Sequence, residues 1–225
     1  MSNFSEQKDD EIAWSWSINE QVTYYLRHDA FWIDRIKAKT FDSSDFNELL
    51  NRYSLKQGIG HAFLRNNFES IWPWLSALYS PALSDSFNEV NGRWQTATKE
   101  LSQQMSDSGG KQVRSQMLWS ATSKLLWFFH PELCPMYDKF TLRSLNQICA
   151  QRRMPVTSGN YMEHFSKLLS EARPKIQKAM ALSPYKYIYE SRVLDQYLWL
   201  IGSGKKEQIL KKYEAGQSVY VSKSR

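Results

Sequence analysis

Apolar residues in this chain return every three or four positions, and nowhere do they alternate over the length of a strand. Val22, Tyr25 and Leu26 are followed by Ile33 and Ile36, Tyr161 by Phe165, Leu168 and Leu169, and Val193 and Leu194 by Tyr197, Leu198 and Ile201. A repeat near 3.6 residues puts such side chains on one stripe of a helix, whereas a half-buried strand needs a repeat of two. The pattern predicts an all-α fold, more than half helical, with no sheet of three or more strands.

Start and stop signals divide these helices. Asp42-Ser43-Ser44-Asp45 predicts a capped start, Trp72-Pro73 and Ser80-Pro81 predict breaks, and Ser106 to Gly110 and Met154 to Gly159 predict loops. Residues 1–225 read as a single domain, and the loop at Ser106 to Gly110 is the one place where it would divide into two helical lobes. Hydrophobic residues make up 42% of the 225, with 9 Gly and 7 Pro, which is enough for one core and excludes disordered and fibrous classes. Residues 217–225 read as a polar tail.

Cys134 and Cys149 stand at no metal-ligand spacing and are too few for a disulfide scaffold, so they read as thiols in a reducing compartment, with no metal and no cofactor expected. The opening MSNFSEQKDDEIAWSW has acids and no apolar run, and no stretch is long enough to cross a membrane. A cytoplasmic monomer with no membrane partner is the expectation. The net charge of +6, from 29 basic and 23 acidic residues, suits a polyanionic partner without requiring one.

Chemistry concentrates between Lys111 and Ala150. Here the sequence predicts a helix, a corner at Ser120-Ala121-Thr122-Ser123, an apolar helix from about Lys124 to Phe129, a proline-bounded loop, and a helix starting near Asp138. Two helices around a short corner turn backbone N–H groups outward, where they can hold a phosphate. Gly58-Ile59-Gly60 before His61 is a second candidate phosphate turn, or simply a turn between helices.

From Leu118 to Arg143 these residues resemble the helix-hairpin-helix DNA glycosylases, most closely their 8-oxoguanine branch. The family places a hairpin of the form L-P-G-V-G-x-K before an apolar helix, then an Asp opening a helix of the type D-R-H-I-L-R. This chain reads Leu118-Trp119-Ser120-Ala121-Thr122-Ser123-Lys124, and later Cys134-Pro135-Met136-Tyr137-Asp138-Lys139-Phe140-Thr141-Leu142-Arg143. Ser120 and Thr122 replace both hairpin glycines, and the spacing from Lys124 to Asp138 is shorter than the family's.

The resemblance implies a glycosylase that flips and excises a damaged or modified base from double-stranded DNA, leaving an abasic site. It puts Lys124 at the family's nucleophilic or pocket lysine and Asp138 at its catalytic aspartate. Divergent members of the fold resemble bacterial anti-phage factors that remove hypermodified bases from viral DNA, and this chain's departures favour such a member over an oxidised-guanine enzyme. Ser120, Thr122, Ser123, Lys139 and Arg143 would contact DNA, joined by Arg152 and Arg153. The alternative is a non-catalytic DNA-binding module that keeps only the hairpin architecture.

The roles suit the chemistry. The sugar turns cationic at C1′ as its base departs, a charge that a carboxylate stabilises, and a helix N-terminus favours that carboxylate's ionised form. A lysine in apolar surroundings loses its proton readily and can attack C1′. Each residue also has a plainer reading: Asp138 as an N-cap, Lys124 as a solvated helix-start lysine, His130 as a helix-end cap. Trp14, Trp16, Trp32, Trp72, Trp74, Trp119 and Trp127 are each either core or a platform for the flipped base. The altered hairpin and short spacing favour attack by water over attack by Lys124.

Overall fold

A computed structural model describes residues 3–53, 55, 67–80, 86–107, 115–150, 155–183 and 189–215. Among them there are helices and no strands. In chain order they are α1 (Asn3–Tyr24), a π-helical turn (Tyr25–Asp29), α2 (Ala30–Lys37), α3 (Ser43–Arg52), α4 (Phe68–Tyr79), α5 (Phe87–Asp107), α6 (Ser115–Phe129), α7 (Lys139–Ala150), α8 (Tyr161–Leu182), α9 (Glu190–Gly202) and α10 (Lys206–Glu214). The all-α reading is therefore met.

Local chemistry explains some of the boundaries. At the start of α3, Asp42 accepts from the backbone N–H groups of Ser44 (2.8 Å) and Asp45 (3.0 Å), while Asp45 accepts from the Asp42 N–H at 3.1 Å. This reciprocal capping box satisfies donors that the first turn leaves open. α4 ends at Tyr79, before Pro81, as the sequence suggests. Trp72-Pro73 is a correction: α4 runs through it. Pro73 is exposed and so is Glu69, whose carbonyl loses its helical donor, so water can satisfy that group.

One buried cluster draws side chains from each of α1–α9, including Trp14, Trp32, Phe46, Leu75, Trp94, Trp127, Leu145, Phe165 and Leu194. A smaller cluster of Ala13, Trp16, Leu200 and Ile209 fastens α10 to α1 and α9. α9 lies inside the bundle, packed on α7, α1 and α8. Its residues 191–196 are all buried, so this helix has no solvated face along that stretch. Its approach to α7 depends on Gly202, where a Cβ would meet the Phe140 carbonyl oxygen at 2.0 Å. No described helix is long and apolar enough to cross a membrane.

Candidate active site

The corner expected at Ser120-Ala121-Thr122-Ser123 is not formed. Residues 120–123 lie inside the continuous helix α6, and Thr122 and Ser123 are buried. Thr122 Oγ1 donates to the Leu118 carbonyl at 2.9 Å, lies 2.7 Å from Thr98 Oγ1 and accepts from Trp94 Nε1 at 3.1 Å. Ser123 Oγ donates to the Ser120 carbonyl at 3.0 Å and accepts from the Tyr137 N–H at 3.0 Å. With Ser120 and Thr122 in place of two glycines, the segment continues as helix, and the Thr122 and Ser123 hydroxyls tie α6 to α5 and to the loop before α7. Ser120 is half-buried on the same helix. These three residues are not arranged as a phosphate-binding corner.

Lys124 and Asp138, in contrast, lie near enough for the carboxylate's charge to act on the amine. Asp138 caps α7: its Oδ1 accepts from the N–H groups of Phe140 (2.7 Å) and Thr141 (2.8 Å), and its own N–H donates to Thr141 Oγ1 at 3.0 Å. The N-cap reading is thus correct, and it fixes the carboxylate in one orientation. Lys124, one turn from the buried Trp127 on α6, is partly buried and its Nζ donates to the Tyr53 carbonyl at 3.3 Å. Burial pushes the Lys124 amine below its usual range, against the opposing pull of the nearby Asp138 carboxylate.

Two further ionisable groups complete the cluster, and sequence reasoning missed both. Arg192 and Asp195 on α9 form an ion pair through Nη1 and Oδ2, with side chains 7% and 3% exposed. The Arg192 guanidinium lies over the Trp127 ring, 5.7 Å from its centroid. Burial raises the Asp195 carboxyl to about 7, even though Arg192 favours its ionised form; Asp138 adds to the rise and Lys124 opposes it. The pair stands at i, i+3 in the sequence, but only the helices packed around α9 bury it and make it part of this group.

The result is a group of two cations, Lys124 and Arg192, and two carboxylates, Asp138 and Asp195, in which Arg192 and Asp195 are paired and the other two act on them electrostatically. Tyr53, whose carbonyl holds Lys124, donates through its hydroxyl to the buried Asp29 at 2.5 Å. Asp29 closes the π-helical turn, a distortion often found at functional sites. Leu26 (67%) within that turn and Phe31 (54%) just after it are exposed large apolar side chains.

The remaining candidates separate. Lys139 is exposed, its Nζ 4.8 Å from the Phe140 ring centroid. Arg143 donates from Nη1 to the Gly202 carbonyl at 3.1 Å and so serves the C-terminus of α9. His130 ends α6 with its Nε2 2.7 Å from the Tyr79 carbonyl oxygen, a helix-end contact. Trp14, Trp16, Trp32 and Trp127 are core; Trp72, Trp74 and Trp119 are half-buried. Gly58 to Gly60, Arg152, Arg153 and the tail 217–225 lie outside the described residues. Among the described residues no group of three His, Cys, Asp or Glu is placed to hold a metal ion.

The chain matches no protein-family model, no curated protein and no solved structure.

Proposed function

We propose that this protein is a DNA N-glycosylase that removes a damaged or modified base, with Asp138 and Lys124 as its reacting groups. The observation that carries the reading is a carboxylate fixed by the α7 cap and close enough to act electrostatically on a lysine of lowered pKa, at the two positions where the resemblance to helix-hairpin-helix glycosylases puts aspartate and nucleophile. Lone lysines and caps are common; a buried Arg192–Asp195 pair beside the half-buried Lys124 and Asp138 is a costly arrangement that function explains better than stability does.

Asp138 stabilises the positive charge that grows at C1′ as the glycosidic bond breaks and the base leaves with the bonding electrons. The lowered pKa of Lys124 supports attack at C1′ by its amine rather than by water, which reverses the preference drawn from sequence. Loss of a proton from nitrogen and opening of the sugar ring then give a Schiff base. Hypermodified bases of viral DNA are the substrate class that the family analogy favours. A DNA-binding module without chemistry fits less well, because Ser120, Thr122 and Ser123, which such a module would use, serve helix packing.

The test is incubation with duplexes carrying different modified bases, viral hypermodified cytosines included, in the presence of borohydride. A covalent protein–DNA adduct that Lys124→Ala abolishes supports the reading, whereas no abasic site and no adduct from any duplex counts against it.

A further inference from the structure

Where α7 begins, α9 ends and α10 begins, three cations lie over two aromatic rings. Lys139 Nζ is 4.8 Å and the Arg143 guanidinium 5.9 Å from the centroid of the Phe140 ring, and Lys205 Nζ is 5.2 Å from that of Trp199. The two rings meet edge to face at 6.0 Å, so contacts run unbroken from the cap of α7 to the residue before α10. Arg143 also donates to the Gly202 carbonyl, which ties α7 to the end of α9 and fixes the two rings' helices against each other.

We propose that this face binds the phosphodiester backbone of a DNA strand, with Lys139 and Lys205 on its phosphates and Phe140 and Trp199 holding those side chains in place. Elsewhere Arg35, Arg52, Arg173, Lys175 and Lys178 each meet a carboxylate oxygen within 3.0 Å, which cancels their charge locally. Lys139 and Lys205 form no ion pair among the described residues, and the neighbouring Asp138 is turned to the N–H groups of Phe140 and Thr141. Their charge is therefore open to an outside anion. A lysine already held over a ring loses less freedom on gripping a phosphate than one that moves in solvent.

The surroundings of these cations favour DNA over other polyanions. Lys139 follows Asp138 in the chain, so a strand whose sugar reaches Asp138 brings its neighbouring phosphates to this face. A strand offers a phosphate about every 3.4 Å of helix axis, and the ring contacts that link Lys139 to Lys205 span only a few such steps. An anionic membrane fits less well: the exposed large apolar side chains among the described residues are Leu26, Phe31 and Leu182, none of them on this face, where both rings are half-buried. The inference rests on the glycosylase reading only for the placement of the strand at Asp138; the cations and rings themselves ask only for phosphates.

The test takes the full chain and a short unmodified duplex labelled with fluorescein, whose anisotropy reads binding across a salt series apart from any excision. Binding should weaken along a log-log line, and Lys205→Ala should lower the slope by about one unit, as the loss of one phosphate contact requires. Phe140→Leu keeps every charge, so its slope should match the parent's while affinity falls about two- to fivefold at each salt concentration. Lys99→Ala, at an exposed lysine of α5, should leave the slope unchanged. The proposal is overturned by absence of binding, by the parent slope in Lys205→Ala, by parent affinity in folded Phe140→Leu, or by an equal fall in slope in Lys99→Ala. Lys205-dependent binding to phosphatidylserine vesicles as tight as that to the duplex overturns it too, since the partner would then be a membrane. Should Phe140→Leu fail to fold, Lys205→Ala decides alone. Binding of the expected kind with no excision of any base would sink the glycosylase reading and leave this surface standing, whereas excision with a slope indifferent to Lys205 would do the reverse.

Discussion

Lys124 Nζ lies 3.3 Å from the carbonyl oxygen of Tyr53, and the hydroxyl of that same tyrosine reaches Asp29 at 2.5 Å. One residue thus connects the cluster on α6 to the π-helical turn between α1 and α2. Tyr53→Phe removes the second contact and leaves the first, which is made by the backbone. We expect a loss of about 1.5–3 kcal/mol in urea unfolding, the size of a hydrogen bond to a charged group. The pH at which half of Lys124 is acetylated by acetic anhydride, which takes only the neutral amine, should stay within a few tenths of a unit; a large shift would mean that Asp29 governs Lys124 directly.

Asp138 has two duties that substitution can part. Asn retains a capping oxygen, so Asp138→Asn should fold with near-normal stability yet lose excision by a hundredfold or more. Asp138→Ala gives up the cap as well, at about 1 kcal/mol. Equal excision by both variants and the parent protein would reduce Asp138 to a cap.

Asp195 carries a pH signature of definite sign. Its folded pKa, about 7, lies above the ordinary carboxylate value of 3.8, so between those limits the folded state holds more protons than the unfolded one. Stability contributed by this group is therefore full below about pH 4 and is lost as pH rises towards 7. Asp195→Asn removes that slope. The stability of the variant relative to the parent should climb from pH 4 to 7 and then level off, as read by urea unfolding at each pH. A difference that does not vary with pH would show that Asp195 titrates normally.

Gly202 offers the sharpest packing test. A Cβ there would lie 2.0 Å from the Phe140 carbonyl oxygen and 2.6 Å from Ser144 Oγ, and the first of these is backbone that cannot turn aside. Gly202→Ala should cost 1–3 kcal/mol or more by forcing α7 from α9. Because Phe140 follows the Asp138 cap, excision should fall together with stability. Wild-type stability in the alanine variant would show that the two helices sit farther apart.

Lys139 and Arg143 should behave differently on DNA. Exposed Lys139 should lower the salt slope of binding by about one unit when changed to Ala, at no cost in stability. Arg143→Ala removes a donor from the end of α9 and should lower stability by about 0.5–1.5 kcal/mol. Identical salt slopes for Lys139→Ala and the parent protein would take Lys139 out of the interface.

What sequence reveals here divides by physical range. The period of Tyr161, Phe165 and Leu169, all buried, sufficed to place a helix that the bundle then covers. The capping box at Asp42 and the cap at Asp138 were legible because their partners lie within three residues. The expected corner at 120–123 closes into helix because its four residues include no glycine or proline to turn the chain, and its hydroxyls gain buried partners there. Pro73 was misread as a break because nothing local shows that Glu69 faces water. Arg192 and Asp195 stayed hidden for a different reason: on an isolated helix such a pair is a surface ornament, and only the helices packed around α9 turn it into part of a site.

Six successive buried residues on α9 carry both the core and half of the ionisable cluster. A lineage adjusting this protein to a new target could not vary them one by one, since each change would be charged against folding before it reached any substrate. Adaptation would have to proceed from the rim instead, through residues such as Leu26 and Phe31 that stand in solvent at and after the π-helical turn, with the buried stretch of α9 inherited whole.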